Sequence, residues 1–346
     1  MSGLDSSFTR ILLDWYACNG RDLPWRRTRD PYAIWLSEII LQQTRIAQGT
    51  AYWERFMARF PNVELLAAAS EDEVLRLWEG LGYYSRARNL HAAAREIVAL
   101  GGFPRTLEGI RALKGVGDYT AAAIGSIAFN LPAAVVDGNV YRVLARYFGL
   151  ATPIGSSAAK KEFSGLAQSL LPPDRAADFN QAMMDFGALQ CTPASPRCED
   201  CPLREGCCAF LQGRVPLLPV RAQKGTVQTR WFSLVYLRYQ GETAIRRRPA
   251  GDIWAGLWEP VLLEGEGAPA PVPQDLAAAG KLRLLSSGVR HQLTHRSLLS
   301  DLYLLDCTQR PALPQGYIWI KEAALKEYGK PRLFERLLRL MEETSI

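Results

Sequence analysis

The chain has 346 residues, 48% hydrophobic and 22% charged, with a mean hydropathy of −0.08. That is the composition of a soluble globular protein, long enough for two domains with sizeable cores. No apolar run approaches the roughly 18 residues of a membrane helix, and Met1–Arg10 lacks the apolar centre of a signal peptide, so a cytoplasmic location is expected. A net charge of +6 and a pI of about 8.9 favour a polyanionic partner.

Phe8–Cys18 carries apolar residues at helical spacing. Pro24-Trp25-Arg26 and Asp30-Pro31-Tyr32 interrupt it, and a second helix runs from Tyr32 to Gln43. With Ile34, Trp35, Leu36, Ile39, Ile40 and Leu41 it is apolar nearly all round and should be buried, Glu38 included. Tyr52–Phe60 follows, stopped by Pro61. Ser70 opens a helix through Trp78, with Glu73 in the capping-box position. Gly80-Leu81-Gly82-Tyr83-Tyr84 reads as a glycine turn with exposed aromatics, and Arg86–Leu100 as helix.

Leu107–Leu113 and Ala121–Phe129 flank Gly115 and Gly117. Two glycines so placed make a tight hairpin whose second helix starts with free N–H groups, which suit a phosphate. The pattern is that of a helix-hairpin-helix, a sequence-blind clamp on a nucleic-acid backbone. Asp137-Gly138-Asn139 starts a further helix, Val140–Phe148, with Asp137 placed to cap it. Helices continue over Ser157–Leu171 and Ala176–Leu189, and no strand is expected before about residue 211.

Gly213–Lys224, with Pro216 and Pro219, reads as a linker. Alternation beyond it marks strands at Trp231–Leu237, Leu298–Leu305 and Tyr317–Ile320, before a closing helix Pro331–Met341. The expected domains are 1–212, all helical, a linker 213–227, and 228–346, a smaller α+β unit. Basic residues gather at Arg21–Arg29, Arg86–Arg95, Arg142–Arg146 and Arg246–Arg248, each a solvated face or part of a nucleic-acid surface.

Seven cysteines include four, Cys191, Cys198, Cys201 and Cys207, spaced C-x6-C-x2-C-x5-C. Four thiolates so close in sequence can wrap one metal centre, structural zinc being the alternative to a cluster. Cys18 and Cys307 are expected to be ordinary buried thiols.

The hairpin, the Asp137-Gly138-Asn139-Val140 segment and the four-cysteine spacing together resemble the endonuclease III superfamily of DNA glycosylases. Within it the match is to the MutY-type adenine DNA glycosylases. Trp35-Leu36-Ser37-Glu38, Leu41-Gln42-Gln43-Thr44, Gly80-Leu81-Gly82-Tyr83-Tyr84 and Asn180-Gln181-Ala182-Met183-Met184-Asp185 all look like signatures of that family. The resemblance implies an all-α helix-hairpin-helix glycosylase domain with a [4Fe–4S] loop at 191–207, then a Nudix-like lesion-recognition domain. It also implies a monomer acting on double-stranded DNA with adenine opposite 8-oxoguanine or guanine, nucleoid-associated when bound. Arg247-Arg248-Pro249 and Trp254-Ala255-Gly256-Leu257-Trp258-Glu259 match the opening of the Nudix-like part, but no acidic Nudix box follows.

In such an enzyme Glu38 would protonate adenine, its pKa raised by desolvation. Asp137 would stabilise the oxocarbenium-like sugar, with Asn139 and Tyr119 beside it. Gln43 and Tyr83 would enter the base stack. Thr44, Trp25, Arg26 and Gln181 would line the base pocket or contact DNA, and Gly115 and Gly117 would meet its backbone. Leu293-Thr294-His295 matches the family's lesion-sensing Phe-Ser-His, so Thr294 and His295 keep the polar groups while the aromatic is lost. Tyr119 stands where bifunctional relatives carry a Schiff-base lysine, which implies a monofunctional enzyme. The competing readings are a pyrimidine-damage glycosylase/lyase and a non-catalytic Fe–S DNA-binding protein; a thymine glycosylase for G·T pairs also lacks that lysine but would not carry the second domain.

Overall fold

The computed structural model describes residues 2–221, 228–249, 251–293 and 296–343. They fall into two compact units, Met1–Ala68 with Ala92–Lys224, and Ala69–His91 with Gly225–Ile346. The helices are α1 Ser2–Asn19, α2 Pro31–Leu41, α3 Ile46–Arg59, α4 Val63–Ala68, α5 Glu71–Leu77, α6 Tyr84–Ala99, α7 Leu107–Ala112, α8 Asp118–Phe129, α9 Gly138–Phe148, α10 Ser157–Leu170, α11 Ala176–Leu189, α12 Cys208–Leu211, α13 Gln274–Ala277 and α14 Arg332–Glu343. The strands are β1 Gln228–Arg238, β2 Glu242–Arg247, β3 Trp258–Glu259, β4 Val261–Gly265, β5 Gly280–Gln292, β6 Arg296–Cys307 and β7 Tyr317–Lys321. The boundary between units falls inside α6, so α5 and the Gly80–Tyr84 turn group with the C-terminal strands.

Local chemistry sets the helix ends in the first unit. Asp30 caps α2 by accepting from Tyr32 N, with Pro31 at the first position, and Ser156 caps α10 through Ala159 N. Asn130 and Gly149, both left-handed, end α8 and α9. α2 is buried from Tyr32 to Ile40, and its large side chains, each worth roughly 1.5–3 kcal/mol when fully buried, seat it against α3 and α8. A second part of the core joins Phe8 and Leu12 of α1 to Val143, Leu144, Phe163, Phe179 and Phe186. The stretch expected as a linker carries a helical turn, Val215–Leu217; Leu218 is buried in this core and Arg221 bridges to Ile154.

The second unit holds a four-stranded sheet in the order β4-β1-β6-β5 and a three-stranded one in the order β3-β2-β7. β1 and β6 pair in parallel, Trp231 opposite Leu299, and the other pairs are antiparallel. β1 is buried on both faces. Phe232, Leu234 and Tyr236 meet Leu333, Phe334 and Leu337 of α14, while Val235 and Leu237 meet Val261, Leu305 and Tyr317. Parallel pairing in a sheet covered on both sides accounts for a strand apolar at successive positions. β2 and β5 escaped the sequence reading because their alternation is broken: β5 carries register shifts between Leu284 and Val289.

Candidate active site

Glu38 projects from α2 into a cavity of about 210 Å³ in the first unit. Trp25, Arg26, Thr44, Tyr119, Asp137, Asn139 and Gln181 line the same cavity. Glu38 is 8% exposed. Burial pushes its carboxyl up to about 7; the Tyr119 hydroxyl draws it down, the Asp137 carboxylate raises it and Arg26 lowers it. Tyr119, in the first turn of α8, has its hydroxyl pushed well above the usual range, by burial first and then by Glu38 and Asp137. That hydroxyl also reaches Met184 Sδ at 3.7 Å.

Asp137 is the cap of α9. Its Oδ1 accepts from Asn139 N and Val140 N, both at 2.8 Å, and its Oδ2 accepts from Asn139 Nδ2 at 2.9 Å. Asn139 Oδ1 in turn accepts from Arg142 Nη2 at 2.8 Å, and Arg142 donates to Gly187 O and Cys191 O at 2.6 and 2.7 Å. A Cβ on Gly187 would lie 2.6 Å from Asn139 Cβ, so only glycine lets α11 come this close to the start of α9.

Behind the lining residue Arg26 lies a carboxylate to which the sequence assigned no role. Asp185, fully buried one turn after Gln181 on α11, accepts from Arg26 Nη1 and Nη2 at 2.7 and 2.9 Å. It also accepts from Arg21 N and Nε, each at 2.9 Å. Burial pushes this carboxyl up, but the bonds from Arg26 and Arg21 outweigh it and hold the pKa below the usual carboxylate value. The i, i+4 spacing of Gln181 and Asp185 was the available signal. Gln181 Oε1 is buried without a hydrogen-bond partner among the described residues.

Gln43, exposed and left-handed at φ 56°, follows α2 and is not part of the cavity lining. Gly115, at φ 76°, turns the hairpin; Gly117 caps α8 with no side-chain bond, which leaves that helix's first N–H groups for an outside acceptor. Tyr83 lies in the second unit, 46% exposed, at a cavity of about 550 Å³ that also touches Trp254, His291, Leu293, Arg296 and Arg332. Leu293 packs against the sheet core. Thr294 and His295 lie outside the described residues.

Cys191, Cys198, Cys201 and Cys207 face one small cavity beside Arg146 and Tyr147; Cys208 does not line it. Leu203 donates its backbone N–H to the Cys201 sulfur, and Ala209 and Phe210 donate theirs to Cys207. Arg146 Nη1 lies 3.4 Å from Cys191 Sγ. Convergent thiols met by N–H and guanidinium donors suit an anionic thiolate centre, so this donor set fits an iron–sulfur cluster. Among the described residues no three His, Cys, Asp or Glu are close enough to grip a single ion.

Three expectations change. Arg142 and Arg146 are neither a solvated face nor an open DNA surface: they are 8% and 3% exposed and tie α9 to carbonyls of the cysteine loop. Arg246 and Arg248 are bound to Glu259, Arg248 also to Asp252, and Arg247 to Glu71. Cys18 is exposed near the end of α1 rather than buried.

The profile of the "HhH-GPD superfamily base excision DNA repair protein" matches residues 36–169, and that of the "NUDIX domain" matches 233–340. The chain is 47% identical over 228 residues to an adenine DNA glycosylase of Rattus norvegicus, a match covering 62% of this chain and 44% of the rat protein. It thus spans less than half the length of that relative. It is 33% identical over 297 residues to one of Buchnera aphidicola subsp. Baizongia pistaciae, covering 84% of each. Among solved structures, a thermostable thymine-DNA glycosylase aligns with a TM-score of 0.55 at 33% identity, over 60% of this chain and 97% of that one. With a helical base-excision domain, a Nudix domain after it and a relative matched over most of both lengths, this chain belongs to the adenine DNA glycosylase family.

Proposed function

We propose that the protein removes adenine mispaired with 8-oxoguanine or guanine in double-stranded DNA, by hydrolysis of the N-glycosidic bond without strand cleavage. The observation that carries this reading is a buried carboxyl poised near neutrality, Glu38, in one cavity with the helix-capping Asp137. Adenine leaves poorly until protonated, and its bond is reached only when the nucleotide is flipped out of the duplex. Glu38 delivers a proton to N7. The bond to the sugar breaks toward the base, and the Asp137 carboxylate faces the resulting cation until water adds. Gln181 Oε1 offers an acceptor to the exocyclic amine. Tyr119 supplies no amine, so no Schiff base forms.

The DNA backbone is taken by the amides after Gly115 and Gly117. By resemblance to the family, Gln43 and Tyr83 each enter the base stack, and His291 and Leu293 at the Tyr83 cavity read the opposite base; Thr294 and His295 carry the same assignment from the sequence alone. A [4Fe–4S] cluster held by Cys191, Cys198, Cys201 and Cys207 would cross-link the loop after α11.

The test is an excision assay on four duplexes: adenine opposite 8-oxoguanine, adenine opposite guanine, thymine opposite guanine, and an oxidised pyrimidine. Each is run with and without alkali. Adenine release with strands intact until alkali is added is the expected result. Faster release of thymine or oxidised pyrimidine, or nicking as fast as base loss with a borohydride-trapped adduct, would replace it with one of the competing readings.

A further inference from the structure

The Gly80–Tyr84 turn is held in part from far along the chain. Gly80, Gly82 and Tyr83 all have positive φ, at 91°, 73° and 50°. A non-glycine residue there is uncommon and persists where surrounding contacts impose it. From within the segment come Trp78 Nε1 on Gly82 O at 2.9 Å and the Arg86 guanidinium, 5.2 Å from both the Trp78 and Tyr83 rings. Leu81 N also donates to Trp78 O at 3.1 Å and Arg86 N to Tyr83 O at 2.8 Å. A further support comes from a residue 246 positions away from Tyr84.

That residue is Lys330, 7% exposed, just ahead of α14. Its Nζ donates to Leu325 O and Tyr328 O at 3.0 and 2.7 Å and pairs with Glu79 Oε1 at 3.3 Å. Its carbonyl accepts from the Tyr84 hydroxyl at 3.2 Å, and that hydroxyl accepts from Gly80 N at 3.4 Å. Lys330 therefore grips the turn at both ends, through Glu79 and through Tyr84. It is itself anchored from behind: Trp258 N donates to Gly329 O at 2.9 Å, and the Trp258 and Tyr328 rings pack edge to face at 4.8 Å.

We propose that Lys330 is a positioning residue for Tyr83, holding the glycine turn so that the tyrosine ring is presented ready-formed to the DNA stack. The proposal rests on the function proposed above and adds a dependence that function does not require. The C-terminal part of the chain then acts on nucleotide flipping as well as on reading the opposite base. A lysine that only satisfied nearby carbonyls would stabilise the fold without being coupled to Tyr83.

A double-mutant cycle separates the two, since residues acting through one another are not additive. Single-turnover excision is measured for the wild type, Lys330→Met, Tyr83→Ala and the double variant. Lys330→Met should slow excision about tenfold beside Tyr83 and by less than about twofold in the Tyr83→Ala background, and Lys330→Arg should restore most of the rate. An equal loss in both backgrounds, or no loss beside Tyr83, overturns the proposal. If Lys330→Met does not fold, Tyr84→Phe, which removes the hydroxyl link, takes its place in the same cycle with the same criteria. Amide hydrogen exchange over Gly80–Tyr84 in the free protein supplies a readout independent of activity. Faster exchange in Lys330→Met supports the clamp and unchanged exchange rejects it, even if the wild type were to excise a base other than adenine.

Discussion

Glu38 in the first unit and Asp252 in the second are both carboxylates set among arginines and aromatic rings, yet they are held toward opposite charge states. Burial pushes both upward. At Asp252 the bonds from Arg230, Ile253 N and Arg248 overwhelm it and hold the carboxyl far below the usual range; Arg296 adds a fourth contact at 3.1 Å. At Glu38 the nearby guanidinium, Arg26, gives its Nη bonds to Asp185 instead, and burial wins. The difference lies in donor geometry, not in residue type. A carboxylate gripped by guanidinium forks becomes a structural joint, whereas one left with a single hydroxyl becomes a proton store.

The largest expected effect tests the proton store directly. Glu38→Gln fills the same space but donates no proton, so excision should fall about 10²–10⁴-fold while DNA affinity is kept. Single-turnover rates beside a binding titration check this, and a near-normal rate would take Glu38 out of the chemistry. The joint is tested next. Arg248 and Glu259 are buried together, their side chains 5% and 1% exposed. Arg248→Met should cost roughly 1–3 kcal/mol, because it strips one of two guanidinium groups from a buried carboxylate and leaves Arg246 on the other oxygen. Chemical denaturation reads the loss, and a change within error would make the second-unit network ornamental to stability.

Two further outcomes sharpen the contrast through pH. A carboxyl raised from an ordinary 4.5 to about 7 keeps its proton in the folded chain where the unfolded chain has released it. Folding stability therefore falls as pH rises through that window and stays lowered above it. Glu38→Gln should accordingly stabilise the fold by roughly 3 kcal/mol at pH 8, and by less as pH falls toward 4.5. Denaturation at both ends of the range decides the matter, equal gains at each end counting against an unpaired buried Glu38. Last, wild-type excision should decline about tenfold per pH unit above about 7 as the donor deprotonates. The Glu38→Gln profile should lack that limb; if it keeps the limb, the titrating group lies elsewhere.

Much of this was legible in the residues. The all-round apolar stretch Ile34–Leu41 dictated a buried α2, and a carboxylate within it could only be desolvated. Asp137 before Gly138-Asn139 announced a helix cap, and Gly115 the left-handed turn of the hairpin. These signals are local: propensity, capping and backbone sterics act over a few residues and leave their mark in the order of the chain. The four-cysteine spacing and the quoted signatures added the family and, with it, the roles assigned to these side chains.

Tertiary structure alone decided which charges meet. The basic runs at Arg142–Arg146 and Arg246–Arg248 look alike in sequence to any solvated or DNA-facing cluster. Arg142, Arg146 and Arg248 became buried joints, and Arg246 and Arg247 more exposed ones, because α9 packs beside the cysteine loop and β2 beside Glu259. Asp185 acquired Arg21 and Arg26 from more than 150 positions away, and the Tyr83 turn acquired Lys330 from the far end of the chain. Electrostatic and hydrogen-bond energies depend on distance in space and on how much water is excluded, and neither quantity is encoded by proximity in sequence.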